Sequence, residues 1–149
     1  MPYNICAFKM EHLDELDQRD QQKDDIKYFK KYAYIQSYWY KANPMMTLMY
    51  DGKPIFILGI QNGGLGTYFP IVFASKNMDK HVRHVVRFIY KYVDDFVGTD
   101  VRRFEAYISS LDPEAGRLAR FFGFEMVGIR RQAGLHEEDQ LIYERLWRK

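Results

Sequence analysis

The chain of 149 residues carries 22 basic and 20 acidic side chains, for a net charge of +2, and 47% of its residues are hydrophobic. That composition excludes wholesale disorder, and its charge balance gives no case for binding nucleic acid or a membrane surface. The one cysteine, Cys6, excludes an internal disulfide framework and fits a reducing compartment.

No apolar run approaches the ~20 residues of a membrane helix. The start, Met1-Pro2-Tyr3-Asn4-Ile5-Cys6, lacks a basic stretch followed by an apolar one, so secretion is not expected. The length fits one domain over residues 1–149 with a core of its own. With 17% aromatic residues, Tyr-rich surfaces are expected to serve as protein interfaces.

Residues 3–9 read as a short first strand. Residues 11–22 read as a polar helix with His12, Leu13 and Leu16 turned inward. Residues 24–40 form a second helical pattern. Its apolar arc, from Ile26, Phe29, Ala33 and Tyr40 to the flanking Tyr28, Tyr32, Ile35 and Trp39, is wide for a surface helix. That aromatic flank is the expected site of a protein partner or of self-association. Asn43-Pro44 ends the pattern.

Residues 45–50 and 54–60 are apolar strands joined by Asp51-Gly52, a hairpin signal. Residues 61–64 turn again. The cluster Gly63-Gly64-Leu65-Gly66 has no helix after it, so it reads as a hairpin turn and not a nucleotide loop. Residues 65–74 give a third strand, with Pro70 predicting a bulge or splay. A helix follows over residues 79–97, capped by Asp79 and closed by Gly98. Val82, Val85, Val86, Ile89, Val93 and Phe96 share its apolar face. His81 and His84 lie three apart on it. No carboxylate or cysteine completes a metal set, so they read as a solvated face.

Residues 102–124 read as a strand, a turn, a helix and a stop. Phe104, Ala106 and Ile108 alternate with Arg103, Glu105 and Tyr107. Asp112 caps the helix, Pro113 takes its first position, and Gly123 ends it. Ala115, Leu118, Ala119 and Phe122 share a face. Two strands, 125–132 and 140–146, close the chain.

This last strand-helix unit resembles that of the GNAT superfamily, the Gcn5-related N-acetyltransferases, whose form is Asn-x-x-Ala-x-x-x-Tyr, three residues, then Gly-Phe. Asp112, Ala115, Ala119 and Gly123-Phe124 stand at those positions here. The order of elements matches too. The resemblance implies an α+β, three-layer fold: a mixed, mostly antiparallel sheet of roughly six to seven strands flanked by about four helices. Segment 47–124 is similar to the GNAT-like small internal virion proteins of T-seven-like short-tailed phages. The residues carrying this are Leu48-Met49-Tyr50-Asp51-Gly52-Lys53-Pro54, the strand to Ser75, and the basic helix from Lys80.

The resemblance implies an acetyl-coenzyme A site. Its pantetheine would meet the backbone of Phe73, Ala74 and Ser75, its phosphates Lys80 and Arg83 at the central helix, and Asp112 would stand at the Asn position. GNAT enzymes place two glycines at that helix start, where close backbone approach is needed. Lys80 and Val82 stand there instead, and Ala119 replaces the general-acid Tyr. Glu105 and Tyr107 are the remaining candidates for base and acid. The expectation is a non-catalytic virion or assembly protein, in the host cytoplasm or the virion, with no resident cofactor. The alternative is a divergent, active, acetyl-coenzyme A-dependent N-acetyltransferase.

Overall fold

The computed structural model describes residues 2–32 and 44–147. The seven strands among the described residues are β1 (Tyr3–Ala7), β2 (Met46–Tyr50), β3 (Lys53–Asn62), β4 (Thr67–Ala74), β5 (Arg103–Ser109), β6 (Glu125–Arg130) and β7 (Gln140–Leu146). Four α-helices among the described residues are α1 (Glu11–Glu15), α2 (Lys23–Lys31), α3 (Val82–Phe96) and α4 (Pro113–Phe121). The strands follow the order β1-β2-β3-β4-β5-β7-β6. The β4–β5 pair is parallel, at Thr67↔Arg103 and Tyr68↔Phe104, while β1–β2, β2–β3, β5–β7 and β6–β7 are antiparallel. This is the expected mixed, mostly antiparallel α+β architecture. None of the described helices is long and apolar enough to cross a membrane.

Contacts gather in two compact units, Met1–Gln61 with Ile71–Thr99, and Asn62–Pro70 with Asp100–Lys149. In the first, residues 54–60 of β3 are all buried. The apolar run therefore serves both faces of its sheet. Ile57 joins Phe8, Leu13, Leu16, Ile26, Phe29, Met45 and Phe73 in one cluster. Its neighbour Phe56 meets Phe88 of α3 edge to face, ring centroids 6.1 Å apart. Truncating a ring this deep costs about 3–5 kcal/mol. Asp51 and Gly52 both have positive φ, +48° and +76°, the mirror-image turn that suits strand twist.

The predicted helix over 11–22 breaks. Leu16 is extended, and after α1 a 3-10 turn at Asp20–Gln22 leads into α2. Burying Leu16 in the cluster outweighs continuing a polar helix. Of the pattern predicted over 24–40, α2 covers the start, and residues 33–43 lie outside the described residues. Tyr28 is exposed.

The α3 boundaries also differ. A 3-10 turn, Met78–His81, precedes Val82, and Asp79 makes no side-chain cap. The turn's donors are met otherwise: Asn77 N–H donates to Ser75 Oγ at 3.1 Å, Met78 N–H to Ser75 O at 3.0 Å, and Lys80 N–H to Asn77 O at 3.1 Å. The helix ends at Phe96 with Val97 extended, so Gly98 is not its cap. Its buried face is Val85, Phe88, Tyr92 and Val93, and Phe96 is exposed. Tyr92 is held inward because its hydroxyl accepts from Ile60 N–H at 3.1 Å and donates to Pro44 O at 2.5 Å.

In the second unit Tyr68, Val101, Phe104 and Tyr143 form the buried centre. Leu65, predicted to start a strand, instead sits in the turn with φ +54° and is 93% exposed; β4 starts at Thr67. β6 ends at Arg130, ahead of Gln132 at φ +52°. The α4 motif matches its prediction. Ala115 N–H donates to Asp112 Oδ1 at 3.1 Å. At the other end Gly123 N–H reaches Arg120 O and Phe124 N–H reaches Ala119 O, each 3.0 Å, with Gly123 at φ +82°. That pair of bonds is a Schellman cap.

Candidate functional site

The sequence candidates fall in two places. In the first unit, Phe73 and Ala74 end β4, Ser75 follows it, and all three are buried. Ser75 N–H donates to Ile55 O at 2.8 Å, which keeps this end of the strand on β3. The 3-10 turn then carries Lys80 outward, and Arg83 follows on the exposed side of α3.

The histidines here are not a solvated face. The Tyr3 and His84 rings stack with centroids 3.6 Å apart and 9° between planes. Tyr3 Oη and His81 Nδ1 are 2.7 Å apart. Tyr50 packs on Tyr3 and on His81, centroids 4.7 Å in both cases. Residues 78 positions apart meet because β1 pairs with β2, placing Tyr3 opposite Tyr50. Sequence reasoning missed this cluster; the i, i+3 spacing of the histidines was visible, but their aromatic partner was not. Among the described residues no three His, Cys, Asp or Glu side chains converge as a metal site.

In the second unit, Glu105 and Tyr107 share one face of β5, as the alternation predicts. Tyr107 Oη donates to Glu105 Oε1 at 2.5 Å. Arg103 donates to the other Glu105 oxygen and also pairs with Glu144 at 3.2 Å. The Arg130 guanidinium lies 4.5 Å from the Tyr107 ring centre. The bond to Glu105, with burial adding, pushes the Tyr107 phenol above its ordinary pKa. Tyr107 therefore keeps its proton, and Glu105 has both oxygens engaged. As arranged, each carboxylate oxygen of Glu105 accepts from a neighbouring side chain. The partners Glu144 and Arg130 come from β7 and β6, and nothing in the local sequence of β5 foretold them.

Asp112 is buried and spends its carboxylate on the α4 cap. Ala119 is half-buried in α4, and its carbonyl accepts from Phe124. Gly116, overlooked in the sequence, packs tightly on β7: a methyl group there would lie 2.9 Å from the Tyr143 hydroxyl.

No protein-family model matches the sequence, and no curated protein matches it by sequence. Solved structures do match in three dimensions. Ard1 from Thermoplasma volcanium superposes with a TM-score of 0.71 at 9% identity, covering 100% of both chains. A probable acetyltransferase from Staphylococcus epidermidis gives 0.72 at 13%, covering 97% of this chain and 98% of the other. A GNAT superfamily phosphinothricin acetyltransferase from Sinorhizobium meliloti, solved with acetyl-coenzyme A, gives 0.63 at 12%, covering 98% and 89%. The chain has the fold of the GNAT acetyltransferases.

Proposed function

We propose that this is an acetyltransferase-like protein of the GNAT fold that does not transfer acetyl groups and acts by binding proteins, as an internal virion or assembly component of a short-tailed phage. The observation that carries the non-catalytic reading is the start of α3. A pyrophosphate needs backbone N–H groups it can approach closely. Here Lys80 and Val82 occupy the glycine positions, and Tyr3 and Tyr50 pack on the two histidines beside them. Those residues do not fit a phosphate cradle. Ala119 offers no proton, and Glu105 has no free oxygen.

Protein binding is supported by exposed apolar side chains. Met126, Val127 and Ile129 of the edge strand β6, and Phe121 of α4, all face solvent in the described chain. The phage assignment rests on the pattern from Leu48 to the basic helix at Lys80.

Titration calorimetry with acetyl-coenzyme A and coenzyme A tests the reading, with Arg83→Glu as control. The expected result is no heat up to millimolar ligand. Micromolar affinity, ~8 kcal/mol, that disappears in Arg83→Glu would overturn the non-binding reading and restore the alternative, an active N-acetyltransferase using Lys80 and Arg83 as point charges on the phosphates, whose amine acceptor would then be sought.

A further inference from the structure

The side of β4 away from β3, past its pairing with β5 at Thr67 and Tyr68, is already taken. Successive strand residues direct their backbone groups to opposite sides. Ser75 N–H points to β3, where it meets Ile55 O. Val72 O, Ala74 N–H and Lys76 N–H therefore point the other way, and each has a partner from the segment 17–22 of the same unit. Gln22 Nε2 donates to Val72 O at 3.2 Å. Ala74 N–H donates to Gln22 Oε1 at 3.1 Å. Lys76 N–H donates to Asp17 O at 2.9 Å, and Gln18 bridges antiparallel to Ser75.

Gln22 is buried. A primary amide offers one acceptor and two donors, so it copies the donor-acceptor pair of a peptide. Here it stands in for a residue of a neighbouring strand. Asp17 secures the other end: its carboxylate accepts from Asn77 Nδ2 at 3.4 Å and pairs with Lys53 at 3.4 Å. The extended backbone at Leu16, which ends α1 early, turns the segment towards this edge.

Pantetheine, the arm of coenzyme A, carries two secondary amides and would add to a free strand edge as an extended peptide does. We propose that residues 17–22 are a built-in occupant of the β4 edge, pinned by Gln22, and that this occupant excludes the pantetheine arm. The proposal deepens the non-catalytic reading and rests on it for its biological meaning. It assigns the loss of the ligand to a side chain and not only to missing glycines. Either obstacle can be removed without the other.

The full-length protein and two variants are titrated with coenzyme A and with pantetheine. Gln22→Ala removes both bonds. Gln22→Glu keeps the shape and the acceptor for Ala74 but loses the donor to Val72, so it reports the same edge if the alanine variant does not fold. Amide hydrogen exchange at Ala74 follows the edge itself. The expected result is a silent wild type, faster Ala74 exchange in the variants by roughly tenfold, and measurable pantetheine binding in Gln22→Ala. If a folded variant binds nothing and Ala74 exchanges as before, the plug is overturned while the proposed function stands. If the wild type binds coenzyme A at micromolar concentration, the proposed function falls. The plug then survives only if Gln22→Ala tightens binding by roughly tenfold or more.

Discussion

Two hydrogen bonds fix the state of the buried His12. Lys9 N–H donates to Nδ1 at 3.2 Å, and Thr47 Oγ1 lies 2.9 Å from the same atom. Nδ1 must accept, so the neutral ring carries its proton on Nε2. Burial, helped by the Lys9 charge and opposed by Glu15 and Glu11, lowers the pKa of His12 from its ordinary 6.5. As pH falls below that value, the unfolded chain takes up a proton that the folded chain refuses. Stability therefore declines until the lower folded pKa is passed. Urea midpoints between about pH 7.5 and about pH 5 should show this decline, and His12→Gln should flatten it. A wild-type midpoint that rises on acidification would contradict the burial argument. At this scale the sequence reading went far in choosing residues and less far in pairing them. His12 reads as inward-facing from its neighbours Leu13 and Leu16, and Glu105 and Tyr107 share a face from strand alternation alone. Thr47, Glu144, Arg130 and Gln22's backbone partners are distant in sequence. Which side chain answers which is set by strand register and helix docking, and no local pattern records those.

Among the elements, α4 is the one whose ends are written in the sequence. Asp112, Pro113 and Gly123 each act within a few residues of themselves, so their roles survive without knowledge of the fold. Asp112→Ala removes the bond to Ala115 N–H and should cost about 1 kcal/mol. Gly123→Ala forces a side chain into the left-handed region at φ +82° and should cost roughly 1–2 kcal/mol. Both are read from the shift in denaturant midpoint at unchanged slope. Losses within error of zero would mean that the α4 ends are held by packing and not by their caps. The α3 boundary went the other way. Asp79 suits an N-cap by type, yet the carbonyls and hydroxyl of Ser75 and Asn77 supply the turn before it, which leaves its carboxylate no cap to make. Phe88 and Tyr92 join Val85 and Val93 on the buried face in place of Val82, Val86, Ile89 and Phe96, because Phe56 and the polar pair at Ile60 and Pro44 fix how the helix is rotated.

For the molecule as a whole, the edge of the sheet is where sequence and environment meet. β6 is the last strand in the order, and Met126, Val127 and Ile129 on it are about half exposed. An uncovered apolar edge favours association. Ile129→Lys should abolish concentration-dependent self-association in sedimentation velocity while leaving stability within about 0.5 kcal/mol. A wild type that stays monomeric at every concentration would remove β6 from consideration as a self-association surface. The sequence by itself determined the order of strands and helices, the turn at Asp51-Gly52, the cap and stop of α4, and the absence of glycines before α3. These depend on periodicity and on the φ preferences of single residues, which act over a few positions. Only the tertiary structure decided that Tyr3 closes on His84, that Glu105 has no free oxygen, and that Gln22 fills the edge of β4. Each joins groups far apart in the chain, through hydrogen bonds and ring contacts that exist only once the strands have paired.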